Sequence, residues 1–197
     1  MTIQLMNSRE PGATPAALII DVIEFGERRL AAAEKSQFYK DRRIHSAIAD
    51  TIRDCNRVLG AAGNFKNGCL YREAGLAEKW QPGNGESVVC DHAVPVTELV
   101  ARHQAGESIA RLIFSPVVRI SKSANDLLTK RGLAKTGFRD GCPLYRYSHV
   151  GLELVTHEGA PVDPAVWADE DHWQLVRSAE ELAPVLKRLG QDVMLGA

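Results

Sequence analysis

The chain has 197 residues, of which 45% are apolar and 25% charged. This ordinary globular composition excludes disordered, collagen-like and coiled-coil architectures. At roughly 150 residues per domain it holds one domain with an appendage or two small ones. No apolar run approaches the roughly 18 residues of a membrane helix, and the N-terminus lacks the basic start and long apolar stretch of a secretory signal, so a cytoplasmic protein without membrane contact is expected. The 24 Lys/Arg and 25 Asp/Glu residues leave a net charge of −1, which taken whole argues against a strongly basic nucleic-acid binder.

Residues 1–14, with Pro11 and Gly12, read as an irregular arm. Ile19, Val22, Ile23 and Leu30 fall at helical spacing and predict a helix from Pro15 to about Gln37. Ile44, Ile48, Ile52, Cys55 and Leu59 recur every three or four residues and predict a second amphipathic helix, ended by Gly60 and Gly63. The two should pair antiparallel, as a scaffold or as the element through which two copies of the chain dimerise. The turn-rich Lys79-Trp80-Gln81-Pro82-Gly83-Asn84-Gly85 marks a boundary between a helical region over 1–78 and a second domain over 79–197.

In the second region Ser87-Val88-Val89-Cys90 reads as a strand running into Asp91-His92 and closed by Pro95. Short helices are expected over 96–102 and 109–114, then a strand over Pro116–Ile120. Ser121 should cap a helix over 122–131 that ends at Gly132. Residues 151–156 alternate like a strand, and Ser178-Ala179-Glu180-Glu181 resembles a capping box before a last helix, with Pro184 as a kink. The fold class is therefore α+β: an N-terminal helical region followed by a domain with a small ββα unit and additional strands.

Resolved along the chain, the charge is uneven. Residues 1–114 balance at 14 of each sign, residues 115–150 carry seven basic and two acidic side chains for a net of +5, and residues 151–197 carry three and nine for a net of −6. The middle segment is either a chance solvated face or a surface for phosphate, and the tail either lies apart or covers it.

Cys55, Cys69, Cys90 and Cys142 are scattered without a C-x-x-C pair, which fits free thiols better than a zinc site or a disulfide framework. Phosphate-loop, dinucleotide and nucleophile-elbow motifs are absent. Tyr145-Arg146-Tyr147-Ser148-His149 reads two ways: aromatics and a guanidinium for stacking on bases, or a strand with Tyr145 and Tyr147 packed on one face. Asp169-Glu170-Asp171-His172 reads as a second metal cluster or as an acidic helix start, with Trp167 and Trp173 anchoring the tail.

VVCDHAVP and, some 20 residues on, PVVRISKSANDLLTKRG carry the strongest chemical signal. A strand end bearing a carboxylate and an imidazole, followed by a strand and a capped helix bearing Asn125, supplies oxygen donors suited to Mg²⁺ and a base for water. These residues resemble the His-Me finger (ββα-metal, HNH/HNN-like) nucleases, whose first strand often reads D-H-x-x-P and whose helix ends the site with His or Asn. The resemblance spans about 45 residues and lacks the glycine pair, the middle Asn and the cysteine-pair zinc knuckle of that family. It implies His92 as general base, Asp91 and Asn125 as ligands of Mg²⁺ or another divalent ion, and DNA as substrate, in a setting such as restriction or a mobile element. Arg119, Lys122, Lys130, Arg131 and Arg146 are the expected nucleic-acid contacts. Alternatives are a non-catalytic nucleic-acid-binding or protein-interaction module using 115–150, or an interaction protein whose acidic tail imitates nucleic acid.

Overall fold

The computed structural model describes residues 15–34, 41–62, 69–77 and 87–189. The expected arm over 1–14 and the boundary at 78–79 lie outside them. Helix α1 spans Pro15–Glu34 and α2 spans Asp41–Ala62. The second helix therefore continues past Gly60, because the buried face of Ile48, Ile52 and Cys55 holds it in place whatever the propensity of one residue near its end. Gly26 of α1 faces Thr51 so closely that a Cβ there would clash with its side chain, and this lets the two backbones approach.

Among the described residues the sheet has five strands in the order β2-β3-β1-β4-β5: β1 (Tyr71–Glu73), β2 (Val88–His92), β3 (Val117–Ser121), β4 (Leu154–Thr156) and β5 (Pro161–Val162). β3 and β1 run parallel and the other pairs antiparallel. The central strand β1 has only three residues and leaves no periodicity to read. The strand expected over 151–156 is confined to its last three residues.

Between β2 and β3 lie α3 (Val96–Gln104) and α4 (Ile109–Leu112), the latter capped by Ser108. Helix α5 (Lys122–Lys130) follows β3 directly, with Ser121 Oγ accepting from Ala124 N at 3.1 Å. It buries Ala124 and Leu128 and packs across β2 and β3, so these three elements form a ββα unit with two helices in its loop. Residues Tyr145–Ser148 form a one-turn helix, α6, and not the strand their alternation suggests. Helix α7 (Asp169–Ser178), a 3₁₀ turn (Glu180–Leu182) and α8 (Ala183–Leu189) are the last of the described elements, with Pro184 in the first turn of α8, where its missing N–H costs nothing.

One apolar core runs from Ile19 and Ile52 through Tyr71, Val118 and Ile120 to Leu182 and Val185. Helix α1 packs on α2 and α8, and α2 on α3, so the N-terminal helices share the core of the sheet region. No described helix is long and apolar enough to cross a membrane.

Candidate functional site

Among the described strands β2 lies at the edge of the sheet, and Asp91 and His92 are consecutive residues at its end, so their side chains leave opposite faces of the pleat. Asp91 Oδ2 pairs with the Arg146 guanidinium and accepts from Tyr147 Oη at 2.9 Å. Arg146, fully buried, also donates to the carbonyls of His92 (2.8 Å), Leu133 (3.3 Å) and Ala134 (3.2 Å). One guanidinium thus ties the end of β2 to the loop after α5. Tyr147 is buried beside it, and loss of solvation pushes its hydroxyl well above the usual phenol range, so it stays a donor to the carboxylate.

His92, half-buried, meets a different partner. Its Nε2 lies 2.9 Å from Asn56 Oδ1, while Asn56 Nδ2 donates to the Ile113 carbonyl at 2.7 Å. The carbonyl fixes which end of the amide is nitrogen, so Oδ1 must accept and Nε2 must carry the proton. The lone pair of the imidazole is then on Nδ1. Burial, opposed by Asp91 and assisted by Arg53 and Arg146, lowers the His92 pKa to about 4, and the ring is neutral at physiological pH.

Asn125 lies on α5, half-buried, with its own carbonyl accepting from Thr129 Oγ1 at 3.0 Å. Ser121, the cap of α5, pairs with Val88 at the start of β2, whereas His92 pairs with Val117. The helix therefore begins about 13 Å along the strand from His92 and folds back across it. Among the described residues no hydrogen bond joins Asn125 to Asp91 or His92. Asp91 and Asn125 are oxygen donors of the type Mg²⁺ takes, but one oxygen of the carboxylate is already engaged by Arg146 and Tyr147, which leaves Oδ1 and water to complete any shell. Among the described residues no three His, Cys, Asp or Glu side chains converge as a metal cluster.

The basic segment divides by burial. Arg146 is fully buried and Arg119, 4% exposed, donates to the Ala77 carbonyl, so these two expected nucleic-acid contacts face inward. Lys122, Lys130 and Arg131 are exposed, as are Lys135 and Arg139. Of the two acidic residues in the segment, Asp140 is paired with Arg102 at 3.0 Å.

The cluster at 169–173 is a helix start and not a ligand set. Asp171 Oδ2 accepts from Ala168 N at 2.9 Å. His172 is buried between Tyr71 Oη (2.8 Å from Nδ1) and the Phe114 carbonyl (2.7 Å from Nε2), and Trp167 Nε1 donates to Tyr71 Oη at 3.1 Å. Trp173 packs on Phe114 with the Arg111 guanidinium over its ring. Both tryptophans thus anchor the tail to the body as the sequence suggests. All four cysteines are free thiols.

Two residues central to this geometry, Asn56 and Tyr71, belong to no local motif, and Tyr147, read from the sequence as a stacking or core aromatic, is a hydrogen-bond donor to Asp91. Asn56 had one signal, its place four residues after Ile52, which puts an amide in line with the apolar face of α2. The chain matches no family model, no curated protein and no solved structure.

Proposed function

We propose that the chain is a divalent-metal-dependent endonuclease that hydrolyses DNA phosphodiester bonds in the cytoplasm. The observation that supports this most is His92: a neutral imidazole at the end of the first strand of a ββα unit, with Nε2 held by Asn56 and the lone pair on Nδ1. In this reading His92 Nδ1 takes a proton from the attacking water, and Asn56 holds the ring so that Nδ1 keeps one direction. A divalent ion bound through Asp91 Oδ1 and Asn125 would neutralise charge on a scissile phosphate that spans the end of β2, since Asp91 and His92 leave opposite faces of the strand. Lys122, Lys130 and Arg131 contact the backbone of the substrate. Leu18, 43% exposed, and Phe25, 56% exposed, stand two turns apart on α1 and supply an apolar stripe through which two copies join.

Supercoiled plasmid and single-stranded circular DNA, incubated with the purified chain and Mg²⁺ or Mn²⁺, test the proposal. Cleavage by the unsubstituted chain that His92→Ala abolishes is expected. Equal cleavage by both, or none by either metal, refutes it.

A second reading is favoured by Arg146. Because that guanidinium already balances Asp91, a nucleic-acid-binding module without chemistry also fits the strand end. It predicts salt-sensitive binding that weakens in Lys130→Ala and Arg131→Ala, with no turnover.

A further inference from the structure

Although Tyr145 and Tyr147 stand in one short segment, the structure sends them to different places. Tyr147 is fully buried against Asp91, whereas Tyr145 lies half-buried on the outer side of α6. Its ring is flanked by the Arg139 guanidinium, 5.5 Å from the centroid, and by His149, 4.9 Å away and nearly perpendicular. Arg139 and His149 are both exposed.

The backbone builds this arrangement. Cys142 N donates to the Arg139 carbonyl at 3.0 Å, closing a turn in which Gly141 has φ of 76°, a conformation that a side chain would strain. Tyr145 N donates to the Cys142 carbonyl at 3.1 Å, and α6 then sets His149 one turn beyond Tyr145. Arg131, at the end of α5, donates from Nη1 to the His149 carbonyl at 3.0 Å. The result is an aromatic ring topped by a solvent-facing cation, with Arg131 joined to the same segment through the His149 carbonyl and with Lys130 and Lys135 exposed on the same stretch of chain.

We propose that Tyr145 and Arg139 form a stacking site for an unpaired nucleotide base, so that the basic surface takes single-stranded nucleic acid in preference to duplex. A base in a duplex has both faces covered by its neighbours and offers the ring nothing, whereas an unstacked base slides between the tyrosine and the guanidinium. Arg139 reaches the site on a flexible stem and shifts onto the outer face of the base, while Lys130, Arg131 and Lys135 hold phosphates of the same strand. This deepens the proposed function and rests on its nucleic-acid part, not on its catalytic part.

The test is fluorescence anisotropy of a labelled oligo-dT strand and of a labelled duplex of the same length, each titrated in EDTA with the full chain carrying His92→Ala, so that no cleavage intervenes. Tighter binding of oligo-dT than of duplex is expected. Adding Tyr145→Leu should weaken oligo-dT binding about tenfold or more and leave duplex binding unchanged. Tyr145→Phe, which keeps the ring, should bind as the parent does. Arg139→Met, on an exposed turn, carries the same test should Tyr145→Leu fail to fold, and should lose several-fold on oligo-dT alone.

The proposal is overturned if the parent binds duplex as well as oligo-dT or binds neither, if Tyr145→Leu leaves oligo-dT affinity intact, or if Tyr145→Phe loses as much as Tyr145→Leu. Cleavage is read separately. Nuclease activity without strand preference removes the stacking site alone, and strand preference without nuclease activity removes the catalytic reading alone.

Discussion

Two regions of the molecule each hold an imidazole whose pKa burial lowers to about 4, and they differ in what the ring has left to give. Under α7, His172 is 2% exposed with both nitrogens engaged: Nε2 donates to the Phe114 carbonyl and Nδ1 accepts from Tyr71. Trp167 donates to the same tyrosine oxygen, so every polar atom of that chain is satisfied and none faces a substrate. At the end of β2, His92 is half-buried and Asn56 occupies one nitrogen only. A lowered pKa records burial in both places, and only the second leaves a lone pair to use. Depressed titration by itself therefore does not single out a site; the hydrogen-bond inventory of the ring does.

The largest effect should come from the residue that fixes the His92 end. Arg146 balances Asp91 and donates to three carbonyls, so Arg146→Met leaves a carboxylate on the sheet without its counter-charge. A loss of about 3–5 kcal/mol in urea unfolding is expected. Pairing it with Asp91→Asn should restore a substantial part of that loss, since the uncompensated charge is then gone. No recovery in the double variant would mean that packing, not charge, holds the strand end.

The next effect separates the two imidazoles by pH. Both folded pKa values lie below the ordinary imidazole value of about 6.5, so the unfolded chain binds more protons than the folded one between about pH 4 and 6.5. Stability is complete above about pH 6.5 and falls as pH drops toward 4. The buried His172 accounts for about 3 kcal/mol of that loss, and His92, nearer to solvent, for less. Urea unfolding at several pH values, with the imidazole resonances followed by NMR, measures both. A His172 resonance that titrates near pH 6.5 would break the comparison.

How much of this was legible in the sequence follows from the range of the interactions. Local rules sufficed for α5, where Ser121 caps a helix whose buried Ala124 and Leu128 keep helical spacing, and for β2, closed within three residues by Pro95. They failed for β1, because a three-residue central strand is defined by its neighbours β3 and β4 and not by its own pattern. Alternation in Tyr145-Arg146-Tyr147 reads equally as strand or as one helical turn when the segment is four residues long. Charge counting over 115–150 could not separate Arg119 and Arg146, which point inward, from the exposed cations. The strand-end candidates Asp91 and His92 were readable as residues, but Arg146, Tyr147 and Asn56 are 55, 56 and 36 positions away from their partners.

The smallest effect sharpens the comparison most. Asn56 is 4% exposed, and Asn56→Ala removes one hydrogen bond to the Ile113 carbonyl and one to His92, at a cost of about 1–2 kcal/mol. The vacated amide volume lies between α2 and the end of β2, where water can enter and solvate the imidazolium form. The His92 pKa should then rise from about 4 toward 6.5 while His172, which shares no partner with Asn56, keeps its low value. In the nuclease reading the same substitution frees the ring to turn, so cleavage should fall even though the imidazole becomes a stronger base. An NMR titration beside a cleavage assay distinguishes these. If activity rises with the pKa, Asn56 serves the fold and not the orientation of His92.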